Sequence, residues 1–351
     1  MIKVGLGIFP DVDEQEKPAA EYFEQVLDLV EHGDRLGFHH VRIVEHYFRR
    51  YGGYSPNPIV FLAAAAQRTR QMRLVTGAVL PAFNHPLKLA GEIGMLDAIS
   101  GGRAEIGFAR AFLPHEFQRF GVDMDTSRAR FNEGITTVRD LLTREEVARE
   151  GQFHSFPATT SLPRPTQRPR PPFWVAALST EESFRMAGEL GFGIMAQPVV
   201  PDSLRENLDV YRRAWKEAGH DGDGQVMLAF HMVCMRDGEQ ARSVAREPIN
   251  RYLRILAEAA GEWTTGTQSA DYVGYQAMIA KLRTDDFDRL YERGSALVGT
   301  PEEITTMLLD YHAACGGFDL ASVQFCFAGI EPELARASLE LFANEVMPRL
   351  S

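Results

Sequence analysis

The chain of 351 residues has only three cysteines. Cys234, Cys315 and Cys326 are odd in number, sit in apolar surroundings and show neither zinc-ligand spacing nor the pairing of a disulfide framework. A reducing compartment, the cytoplasm, is therefore expected. Basic charge is also short: 37 Lys and Arg stand against 48 Asp and Glu, a net charge of −11. Nucleic acid and anionic membrane bind largely through Lys and Arg, so neither is an expected partner. No stretch approaches the roughly 20 apolar residues of a spanning helix. The opening MIKVGLGIFP is a brief apolar run followed by acidic sequence, which reads as neither a secretory signal nor a membrane segment. There is no G-x-G-x-x-G, no G-x-x-x-x-G-K-[ST] and no G-x-S-x-G, so a dinucleotide fold, a P-loop and a nucleophile elbow are not indicated. His39, His40, His115, His154, His231 and His312 lack ligand spacing, and no metal is assigned. A small ligand remains as the expected partner.

What the chain does have is 45% hydrophobic residues, enough for a large core, laid out in a repeating order. Apolar runs that read as strands lie near residues 2, 41, 73, 104, 173, 192, 226 and 321, separated by segments of helical spacing. Alternation of strand and helix implies an α/β fold with a parallel sheet, and eight strands favour closure into a (β/α)8 TIM barrel over 1–351. In such a barrel the site lies at the carboxyl ends of the strands. Phe156 to Pro172 is proline-rich and reads as an extended connector. The stretch from Glu262 to Ser295 is too long for an ordinary connection and reads as a mobile lid inserted before the last strand.

Several charged or small residues fall on the expected rim. Arg110 follows the strand Ala104 to Ala109, where the dry interior of a parallel sheet has no place for a lone charge. Arg128 follows the helix-start residues Asp125, Thr126 and Ser127. The two arginines either converge on one anion or are unrelated surface residues. Glu45 and His46 end the second strand, and a histidine with its ordinary pKa near 6.5 can act as acid or base. Gly77 ends the third strand and would let a flat ligand approach the backbone. Ser179 and Glu182 have capping-box spacing, a sufficient structural role; alternatively Ser179, Thr180 and Ser183 hold a phosphate at a helix start. Thr300-Pro301-Glu302-Glu303 reads as a plain helix cap, since no arginine accompanies it.

These residues sit within a wider match. VEHYF (44–48), HPLKLA (85–90), LDAISGGR (96–103), RFGVDMDTSRA (119–129), VGTPEE (298–303) and LELFANEVMPRL (339–350) together resemble the luciferase-like flavin monooxygenases, in particular the alpha subunit of bacterial luciferase. The resemblance implies a two-component (class C) enzyme. Reduced FMN (FMNH2) comes from a separate flavin reductase, oxygen adds at the flavin C4a to give a (hydro)peroxyflavin, and one oxygen atom enters a small organic substrate. It places Arg110 and Arg128 on the flavin phosphate, with Ser179, Thr180 and Ser183 at the phosphate-binding helix start. It also places Glu45 and Gly77 against the flavin and His46 as the catalytic histidine. A homodimer is expected. The match is not uniform: Ala109 replaces the relative's reactive cysteine, Tyr47 replaces the second histidine of its EHHF motif, and Ala111 and Phe112 follow Arg110. The resemblance thus carries the flavin pocket further than the substrate pocket. A deazaflavin-dependent dehydrogenase of the same superfamily and a non-catalytic flavin-binding subunit stand as alternatives.

Overall fold

A computed structural model describes residues 1–178 and 180–350. Eight parallel strands close into a ring: β1 (Lys3–Ile8), β2 (His40–Ile43), β3 (Arg73–Val79), β4 (Ala104–Phe108), β5 (Phe173–Ala177), β6 (Gly193–Ala196), β7 (Val226–Cys234) and β8 (Leu320–Gln324). The β6–β7 and β8–β1 pairings complete the barrel, with Ala196 opposite Leu228 and Leu6 opposite Val323. The closed barrel foreseen from the sequence is the observed fold. Its strands are near-continuous apolar runs because helices cover the outer face and side chains fill the inner one.

The ring forms where the residues allow it. At Gly5 a Cβ would lie 2.3 Å from the His40 ring, so only glycine lets β1 and β2 approach at the barrel floor. An apolar layer of Val75, Trp174, Met195, Met227 and Leu320 fills the lower interior. Helices start at prolines, Pro58–Arg68 and Pro86–Ile99 among them, where a missing N–H costs nothing. Asn57 and Asp237 cap their helices by accepting from backbone N–H groups. Thr300 and Glu303 form the reciprocal capping box expected of them.

Three departures from the sequence reading lie outside the ring of eight strands. A ninth strand, Ala296–Gly299, pairs with the upper half of β7, so the insertion that precedes it comes before two strands rather than one. Within the stretch read as an irregular connector, Ser155–Thr159 pairs antiparallel with Val147–Glu150. Pro157 is tolerated there because a two-stranded ribbon leaves one edge of each strand unpaired. A short helix, Pro114–Phe120, follows β4 and ends at Gly121 in the left-handed region, φ +65°. Among the described residues no helix is long and apolar enough to cross a membrane.

Candidate active site

The carboxyl ends of the strands open into a cavity of about 630 Å³, within the usual range for a ligand pocket. Glu45, His46, Gly77, Arg110, Thr180 and Ser183 all line it. Six of the eight residues singled out above therefore share one space. Arg128 does not line it, and Ser179 lies outside the described residues.

His46 follows β2 and is buried, with its Nδ1 3.1 Å from Glu116 Oε1. The same oxygen accepts the Tyr47 backbone N–H at 2.9 Å. Glu116 is fully buried on the helix Pro114–Phe120, and its Oε2 has no partner. A carboxylate accepting from Nδ1–H leaves Nε2 as the ring's proton acceptor. Sequence reading missed Glu116. Its signal was the Pro114-to-Gly121 punctuation that marks a helix directly after a strand end.

Glu45 is buried and accepts from the Tyr47 hydroxyl, from Asn84 Nδ2 at 3.0 Å and from the Leu80 N–H at 3.1 Å. Burial pushes its carboxyl up to about 7, the hydrogen bonds opposing. Gly77 sits where the β3–β4 register shifts, and its carbonyl accepts from Arg42 Nη1 at 3.2 Å. A Cβ at Gly77 would lie 2.2 Å from Arg42 Cγ, so the position admits no side chain as it stands.

Arg110 leaves the end of β4 and donates through Nη2 to the Asp271 carbonyl at 2.8 Å. Its guanidinium lies 4.4 Å over the Tyr272 ring. Nη1 is buried without a partner, the expected state of a donor built for a ligand. Arg128 belongs to the helix Ser127–Thr143; its Nη1 pairs with Glu182 Oε2 at 2.9 Å, and its backbone N–H donates to Asp271 Oδ2 at 2.8 Å. Asp271 thus ties both arginines to the segment read as a lid. Thr180 is the cap residue of the helix Glu181–Glu189, and its hydroxyl makes no capping bond. Glu182, which shares capping-box spacing with Ser179, pairs with Arg128.

The insertion folds back over this rim as two 3-10 turns and the helices Tyr275–Leu282 and Phe287–Glu292. Trp263 Nε1 donates to the Phe112 carbonyl at 2.8 Å, Tyr272 donates to the Ala111 carbonyl, and Tyr275, Met278 and Lys281 face the cavity. Burial pushes the Cys234 and Cys326 thiols up to about 12, away from nucleophilic chemistry. Among the described residues no cluster of three His, Cys, Asp or Glu could hold a metal.

A closed parallel barrel with a histidine–carboxylate pair and an arginine with one buried, unpartnered nitrogen on its carboxyl rim defines a (β/α)8 enzyme. The model of the luciferase-like monooxygenases matches residues 2–316, and the chain belongs to that family. It is 30% identical over 340 residues to the oxygenase component of the flavin-dependent trigonelline monooxygenase of Acinetobacter baylyi, covering 94% of this chain and 91% of that one. The monooxygenase RslO1 of Streptomyces bottropensis superposes with a TM-score of 0.90 at 42% identity over all of both chains. At 24% identity, the oxygenating constituent of 3,6-diketocamphane monooxygenase from Pseudomonas putida, in complex with FMN, shares the fold. Its TM-score is 0.83, over 99% of this chain and 98% of that one. The chain is accordingly an oxygenase.

Proposed function

We propose that this chain is the oxygenase component of a two-component system that takes reduced FMN from a separate flavin reductase and inserts one oxygen atom of O2 into a small organic substrate. The observation that carries the reading is Arg110: a buried guanidinium nitrogen without a partner, on the wall of a cavity that a helix start also lines. A phosphate there gains a charge-assisted bond to Arg110, the Thr180 and Ser183 hydroxyls and the positive end of the helix Glu181–Glu189. Arg128 joins it by exchanging Glu182, whose side chain is 59% exposed, so that the pair is worth roughly 0–1 kcal/mol. Gly77 gives the ring system close access to the strand end, with Glu45 at its edge. Reduced flavin, when bound, supplies the two electrons that activate oxygen.

The protein's own residues do the rest. Glu116 holds His46 so that Nε2 receives or returns a proton during oxygen transfer. Residues 262–295 act as a lid that keeps water from the reacting centre, through Tyr275, Met278 and Leu282 on the cavity wall. The expected homodimer, the reductase partner and the placement of Ser179 at the phosphate belong to this proposal.

A rapid-mixing experiment tests it. Photoreduced FMN is combined anaerobically with the protein and then mixed with oxygenated buffer, and the return of oxidised-flavin absorbance is followed. Bound flavin should reoxidise more slowly than free flavin. Equal rates, or productive turnover with a reduced deazaflavin alone, would overturn the reading.

A further inference from the structure

Oxygen transfer as set out above leaves the guanidinium at the bottom of the cavity without a task. Arg42 projects from β2 into the barrel and lines the cavity floor. Its Nε donates to Ser322 Oγ at 3.2 Å and its Nη1 to the Gly77 carbonyl at 3.2 Å, both neutral acceptors. The ionisable side chains that act on it are the phenols of Tyr252 and Tyr51, both held neutral by burial, with no carboxylate among them. A guanidinium removed from water without a counter-charge is costly, and natural sites keep one where a ligand supplies the charge. Gln324 and His231, whose side chains act on one another, line the same cavity, and Gln324 Nε2 is buried without a partner.

An aromatic wall rises from this floor toward His46. Phe9 lies 4.5 Å from Tyr51 and 5.1 Å from Tyr252 between ring centroids. Tyr51 lies 5.0 Å from His46, and Phe112 stands edge-on to His46 at 6.0 Å. Tyr51 spans the two ends, since the charges of both Arg42 and Glu116 reach its phenol. Flat faces and edges of this kind take up aromatic rings by stacking and edge-to-face contact.

We propose that the floor is an anion-accepting subsite and that the substrates are ring-bearing organic acids. The carboxylate sits on Arg42 and Gln324, the ring lies along Phe9, Tyr51 and Tyr252, and the far edge of the ring faces His46. The proposal rests on the oxygenase reading of the same cavity and names its substrate class.

Calorimetric titration of the full chain with matched pairs, benzoate against benzamide and 2-naphthoate against 2-naphthamide, tests it. Each acid should bind roughly tenfold or more tightly than its amide, the range of one charge-assisted contact. Arg42→Met should abolish that preference, Arg42→Lys should retain most of it, and Arg110→Met should leave it unchanged. A thermal melt of each variant shows that it is folded. No preference in either pair, or a preference that survives Arg42→Met, overturns the proposal. So does a preference that vanishes with Arg110→Met, which would put the acid on the phosphate side. FMN titration of the same proteins separates the two claims. Wild type that fails to bind FMN sinks the oxygenase reading whatever the acids do, whereas Arg42→Met that loses FMN but keeps the acid preference assigns Arg42 to the cofactor and sinks this one.

Discussion

Glu45→Gln should change how stability depends on pH, by an amount that burial sets. The Glu45 carboxyl is pushed from its ordinary 4.5 up to about 7 in the folded chain. Below pH 4.5 both folded and unfolded chains hold the proton. Between 4.5 and 7 the unfolded chain loses it while the folded chain keeps it, so the folded state is progressively disfavoured as pH rises, levelling off above 7. At about 1.36 kcal/mol per pH unit, the whole interval is worth about 3.4 kcal/mol, of which about 2.5 kcal/mol falls between pH 5 and pH 8. Glutamine has no proton to lose. It adds only a cost independent of pH, because one amide N–H must face the donors Tyr47, Asn84 and Leu80. Urea unfolding at pH 5 and pH 8 reads both proteins. Asp11, also raised by burial, to about 6, titrates in both and cancels in the difference. Wild type should lose about 2.5 kcal/mol more than the variant over that range. Equal losses in the two proteins would show that Glu45 is not held protonated by its surroundings.

Gly77→Ala should cost about 1–3 kcal/mol in thermal or urea unfolding, since its Cβ would lie 2.2 Å from Arg42 Cγ and β3 must shift to admit it. Glu116→Ala strips the acceptor from both His46 Nδ1 and the Tyr47 N–H; two orphaned buried donors predict a loss of about 2–4 kcal/mol, checked by urea unfolding. Thr300→Ala removes one arm of the capping box of the helix Pro301–Ala314 and should cost about 1 kcal/mol in the same assay, with FMN affinity unchanged.

The barrel was legible because each ring strand is a dry run of apolar residues bounded by turn residues, and such runs advertise themselves. Ala296–Gly299 was not, since four apolar residues at the end of a polar insertion carry too little pattern to separate from a helix start. The Ser155–Thr159 strand hid behind Pro157, which normally argues against pairing. Position along the chain sufficed to put strand-end residues such as His46 and Arg110 on the cavity wall. Partnerships were beyond reach: Glu116 lies 70 residues from His46 in sequence, and only the barrel brings them together. Arg42 was not singled out, although a charge in a β-run that faces a barrel interior is itself a signal. Arg128 was legible as a helix-start residue, but not its ion pair with the exposed Glu182 in the first turn of the neighbouring helix.

The central claim is that the rim around Arg110 holds the phosphate of FMN. Titrating FMN and riboflavin in parallel, by quenching of flavin fluorescence, isolates that phosphate. One charge-assisted bond of about 1.5–3 kcal/mol predicts FMN binding roughly tenfold to a hundredfold tighter than riboflavin. Arg110→Met should remove most of the difference while leaving riboflavin affinity as it was. Riboflavin binding as tightly as FMN to the wild-type chain would contradict the account.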